Sequence, residues 1–151
     1  MFRTRLSDSL KDAMKAKDQS AVSTLRLILA ALKDRDIAAR TKGKADGIGD
    51  DEILDLLQKM VRQRHDSIEM YDKGGRQDLV DKEAAEIEVI ERFLPKQLNE
   101  DEIRVAVDEV IGTLEASSIK DMGRVMGELK QRYTGRMDFG RAGAMVKERL
   151  T

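Results

Sequence analysis

From Arg3 to Leu150 the apolar residues return every three or four positions, and no stretch alternates them every second residue. Such a chain can bury one stripe per helix but offers no face from which to build a sheet. Residues 50–73 show the pattern well, with Ile53, Leu57, Met60, Val61, Ile68 and Tyr71 on one side. A single proline and 3% aromatic residues point the same way. The expected fold is all-α, and 40% hydrophobic residues in a chain of 151 are enough for a core despite 38% charge.

The helix ends are marked by local chemistry. A first helix is expected over Arg3 to Lys15, and Asp18 is placed to cap a second, from about Gln19 to Arg40. Gly43, Gly47 and Gly49 then read as a flexible surface loop. Asp50, Asp51 and Glu52 open a third helix, and Gly74-Gly75 turns it back into an antiparallel fourth that runs to Leu94. After Pro95 the pattern restarts: Asn99 with Glu102 suits a capping box for a fifth helix, Ser118 with Asp121 starts a sixth, and Asp138 a seventh. The expected organisation is a bundle of about four helices over residues 1–96 and a three-helix tail domain over 97–151.

Charge is unevenly spread although the net value is −1. Residues 1–44 hold 11 Lys+Arg against 5 Asp+Glu, and residues 119–151 hold 8 against 4, whereas residues 97–118 hold 1 against 6. The basic ends can meet a polyanion locally. Cysteine is absent, which excludes disulfides, thiolate metal sites and cysteine nucleophiles and suits a reducing compartment. Residues 1–20 contain no continuous apolar run, so neither a signal peptide nor a membrane span is expected. Together these features predict a soluble, cytoplasmic protein.

The sixth helix carries the clearest functional pattern. Gly123 and Gly127 interrupt a strongly helical stretch, each at a cost of about 0.5–1 kcal/mol relative to alanine. Their spacing makes a flat strip where another backbone can approach, either the seventh helix of the same domain or nucleic acid. Met122, Val125, Met126, Leu129 and Tyr133 fall on one face at 100° per residue, which leaves Lys120 and Arg124 outward and Lys130 and Arg132 on the flanks. With Arg136 these residues are the candidate phosphate contacts. Base stacking is not expected, because Tyr133 and Phe139 belong to the core stripe. Met122, Met126, Met137 and Met145 are assigned to core filling, with an adaptable partner surface as the alternative.

Other motifs carry less. His65 and Glu69 share a helical face at a spacing that suits two ligands or an acid–base pair, but no third ligand is evident. Gly43-Lys44 lacks the preceding strand and the Ser/Thr of a phosphate-binding loop. No catalytic residue, metal ion or cofactor is expected.

The segments Thr24-Leu25-Arg26-Leu27-Ile28, Lys59 through Arg64, Gly74 through Val80, Leu94 through Leu98, and Asp121-Met122-Gly123-Arg124-Val125-Met126-Gly127 together resemble the GatB/YqeY family. The resemblance spans nearly the whole chain and is to the stand-alone YqeY-like branch. It implies an α-helical N-terminal bundle followed by a small helical tail. The family shares this region with the C-terminal part of the B subunit of tRNA-dependent amidotransferase, whose tail helps hold tRNA. The large catalytic domain of that subunit has no counterpart here. The expected function is therefore accessory binding of tRNA or another structured RNA, without a catalytic site of its own. Two alternatives stay open: an adaptor that docks on a protein of the translation apparatus, and a component of a glutamine-dependent carbon–nitrogen ligase acting on aminoacyl-tRNA.

Overall fold

Asp18, Asn99 and Asp138 each stand just ahead of a helix and turn their side chains back onto its first unpaired amides. Asp18 accepts from Ala21 N at 3.1 Å, and Asp138 from Gly140 N at 2.9 Å. Asn99 and Glu102 exchange two bonds, Glu102 N to Asn99 Oδ1 at 2.8 Å and Asn99 N to Glu102 Oε1 at 3.0 Å, a closed capping box. The computed structural model describes residues 1–151 and contains seven α-helices and no strand: α1 (Phe2–Lys15), α2 (Gln19–Thr41), α3 (Asp50–Lys73), α4 (Gln77–Glu91), α5 (Glu100–Leu114), α6 (Met122–Tyr133) and α7 (Phe139–Leu150). A 3₁₀ turn, Ile119–Asp121, leads into α6. No helix is long and apolar enough to cross a membrane.

The packing divides into two units, Met1–Leu94 and Pro95–Thr151. In the first, Leu6, Leu25, Ile28, Ile53, Leu57 and Ile90 are fully enclosed. Helix α3 buries residues only in its first half, up to Met60, and α4 only in its second half, from Glu86 onward. Between these stretches Arg64 bridges the hairpin. Its Nε lies 2.9 Å from Glu86 Oε2, and its Nη1 donates to the Met60 carbonyl at 3.0 Å. Helix α4 ends at Glu91, three residues before the expected Leu94, because Phe93 and Leu94 turn inward through amide bonds to the Ile90 and Glu91 carbonyls.

The glycine-rich connection after α2 is a surface loop over residues 42–46, as expected, but is anchored at its far end, at Gly47 and Ile48. Asp36 on α2 accepts from the Ile48 amide at 2.9 Å and from Arg3 Nη2 at 2.6 Å, while Arg3 also donates to the Ile48 carbonyl at 2.8 Å. Ile48 is buried as a result. Gly47 is required there: its φ is +83°, and a Cβ would lie 2.2 Å from Asp36 Oδ1.

In the second unit α5, α6 and α7 enclose Val107, Val110, Val125, Leu129, Met137 and Val146. Segment 97–98 is strapped to the turn before α7, with Leu98 N donating to the Arg136 carbonyl at 2.8 Å and Gln97 Nε2 to the Gly135 carbonyl at 2.5 Å.

Candidate nucleic-acid interface

The Ser118/Asp121 capping box expected to start the sixth helix closes the 3₁₀ turn Ile119–Asp121 instead, and α6 begins at Met122. Asp121 Oδ2 accepts from the amides of Ser117 at 2.9 Å and Ser118 at 3.4 Å. The Ser117 amide first, then the Arg124 guanidinium and the Ser118 amide, hold the Asp121 carboxyl below the usual carboxylate range. Val125 and Leu129 are enclosed, while Gly123, Arg124, Gly127 and Lys130 are exposed, so the apolar stripe and the outward face divide as the periodicity requires.

The five candidate cations are not equivalent. Lys120 and Lys130 are exposed and make no ion pair. Arg124 Nη2 lies 3.0 Å from Asp121 Oδ1 and also donates to the Leu114 carbonyl at 3.3 Å, and Arg132 Nε lies 2.8 Å from Glu128 Oε1. Exposed pairs three or four residues apart are weak, so both guanidiniums can exchange partners for a phosphate. Arg136 is half-buried and its Nε donates to the Lys96 carbonyl at 3.3 Å, which makes it part of the strap that holds segment 97–98. On the α6 wheel Arg124 lies beside Gly127, Lys130 flanks Gly123, and Arg132 falls on the opposite flank of the apolar stripe, while Lys120 stands just ahead of the helix in the 3₁₀ turn. Arg124 and Lys130 therefore share the glycine side of α6, Lys120 precedes the helix, and Arg132 and Arg136 lie off that side.

Gly123 and Gly127 do not receive α7. Nothing lies within 4 Å of a Cβ built at either, so close packing by the seventh helix is corrected: the contact is made the other way round, with the Cε atoms of Met126 and Met122 resting 3.7 Å and 3.9 Å from the Cβ position of Gly143 on α7. The small residues of α7 receive the long side chains of α6, which leaves the glycine strip of α6 open. The same geometry turns the methionines inward: Met137 is fully enclosed, and Met122, Met126 and Met145 pack against the core.

The other candidates are scattered. His65 is exposed on α3 and Glu69 pairs with Lys73 at 3.5 Å; Lys44 pairs with Glu52 at 3.2 Å. No group of three or more His, Asp or Glu side chains is placed to hold a metal ion.

A family model described as Yqey-like protein matches residues 3–150. The chain belongs to the Yqey-like family. Among curated Yqey-like relatives, "Altered inheritance of mitochondria protein 41, mitochondrial" from Lachancea thermotolerans is 36% identical over 115 residues, covering 75% of this chain and 59% of that protein. The protein of the same name from Pyrenophora tritici-repentis is 31% identical over 134 residues, covering 87% of this chain and 71% of that protein. The one from Kluyveromyces lactis is 36% identical over 88 residues, or 45% of its length. The chain thus spans about half to two thirds of the relatives it matches. Their names correct the cytoplasmic expectation, since these Yqey-like proteins are named mitochondrial. A chain without cysteine is compatible with any reducing compartment, so its composition carries no address.

Proposed function

We propose that residues 97–151 act as a tail domain that binds tRNA or another structured RNA through the outward face of α6, and that residues 1–96 form a separate four-helix bundle that accompanies it. The observation that carries this reading is an exposed glycine strip, bare of any packed neighbour, together with two exposed lysines, Lys120 and Lys130, that no carboxylate neutralises. Gly123 and Gly127 cost the helix stability and gain nothing internal. A sugar–phosphate backbone can approach there more closely than it can approach a helix with side chains, with Lys120, Arg124 and Lys130 around it. Recognition is of backbone and shape, because this face presents no aromatic ring for a base to stack on.

The resemblance to the amidotransferase B-subunit tail supports the same reading, and the binding role needs no catalytic residue. The test is a gel-shift titration of bulk tRNA with the full chain and with Lys120→Glu/Lys130→Glu. Both lysines are exposed and unpaired, so the variant keeps its fold. Binding by the parent and its loss in the variant support the proposal; absent binding, or equal binding by both, contradicts it.

A further inference from the structure

On the second unit α5 carries a cleft of about 340 Å³ lined by Leu98, Asp101, Glu102, Val105, Ala106, Glu109 and Tyr133, none of them on the glycine strip. Its floor is apolar and open: Val105, a core-type residue, is 65% exposed there. Its rim is of one sign. Three carboxylates line it and no cation does. Arg104, the only basic residue of α5, lines a different depression, with Arg141 and Glu148. Asp101 lies 3.5 Å from Arg104 and Glu102 bonds the Asn99 amide, but Glu109 has no cationic partner.

We propose that this cleft docks a cationic amphipathic helix of a partner protein. Leu98, Val105 and Tyr133 take its apolar anchors, and Glu109, with Asp101 and Glu102, faces its Lys or Arg residues. The carboxylate rim decides the occupant. An apolar groove can accept any hydrophobic side chain, but three carboxylates repel a nucleic-acid backbone or an acidic peptide and favour a basic one. The partner chemistry is therefore opposite to that of the α6 face.

The probe is a synthetic peptide of about 18 residues, long enough for five helical turns, patterned from leucine and lysine as an amphipathic helix. Two controls replace its lysines by glutamate or its leucines by serine. Titrated into the isotope-labelled full chain, the Leu/Lys peptide should shift the amides of Leu98, Val105, Ala106, Glu109 and Tyr133. Both controls should bind at least about ten-fold more weakly, as should Glu109→Lys and Val105→Ser acting against the parent peptide. Both substitutions fall on the exposed surface, and an unchanged spectrum elsewhere verifies the fold. Shifts scattered over every acidic face, equal affinity for the serine peptide, or unaltered binding by Glu109→Lys would overturn the proposal. So would shifts of the same residues by tRNA, or a Val105-dependent self-association in sedimentation velocity, which would identify RNA or a second copy of the chain as the occupant.

Discussion

Asp36 and Arg3, 33 residues apart, meet over two hydrogen bonds of 2.6 Å and 3.2 Å, and Asp36 also fixes the buried Ile48 amide at 2.9 Å. The Arg3 guanidinium foremost, aided by that amide, holds the Asp36 carboxyl below the usual carboxylate range. Unfolded, the same group titrates at about pH 4. A lowered folded value means that its contribution is fully present above about pH 4 and is lost as the pH falls through the folded value. Asp36→Ala should cost about 1–3 kcal/mol by leaving the Ile48 amide unpaired. Urea denaturation from neutral pH down to the acid limb checks both statements: Asp36→Asn should flatten the acid limb, and an unchanged limb would remove the linkage.

Arg64 and Glu86 face each other 2.9 Å apart with side chains 13% and 11% exposed. Removing one partner strands the other charge in a half-dry place. Glu86→Ala should destabilise by about 3 kcal/mol, the low end for a broken buried pair, since Glu83 at 4.0 Å retains some compensation. The Glu83→Ala/Glu86→Ala double variant should fall further; a midpoint equal to that of the parent would show that the pair contributes nothing.

The Thr24 hydroxyl is buried without a hydrogen-bond partner. An apolar group of the same shape avoids that desolvation. Thr24→Val should therefore raise stability by about 1 kcal/mol, seen as a higher urea midpoint at constant slope. A lower midpoint would mean that the hydroxyl is satisfied in solution.

At Gly123 and Gly127 a methyl group meets nothing within 4 Å. Gly123→Ala and Gly127→Ala should each stabilise by about 0.5–1 kcal/mol in thermal unfolding. They should at the same time weaken tRNA binding. A stabilised variant that binds as the parent does would show the strip to be unused, and a destabilised one would mean that the helix packs there.

Local chemistry made much of the fold legible in sequence. Caps such as Asp18, Asn99 and Asp138 act on amides two or three residues away, and the burial of Val125 and Leu129 follows from helical periodicity alone. The Arg124–Asp121 and Arg132–Glu128 pairs lie three and four residues apart, and the first leaves one fewer free cation on the glycine side of α6. What spacing does not carry is partner choice over distance. Gly47 looks like any loop glycine until Asp36 and Arg3 close on it, and Arg136 looks like free charge until it reaches the Lys96 carbonyl. Likewise, two glycines on a helix mark an approachable strip without saying which neighbour comes, and here the methionines of α6 fill the space on α7 instead.

The proposed phosphate contacts of the unpaired Lys120 and Lys130 are read out by the salt dependence of tRNA affinity. Each contact contributes roughly 0.7–0.9 to the slope of log affinity against log salt. Lys120→Ala/Lys130→Ala should therefore lower the magnitude of that slope by about 1.4–1.8 relative to the parent while leaving the unfolding midpoint in place. An identical slope in the two proteins would mean that neither lysine meets phosphate.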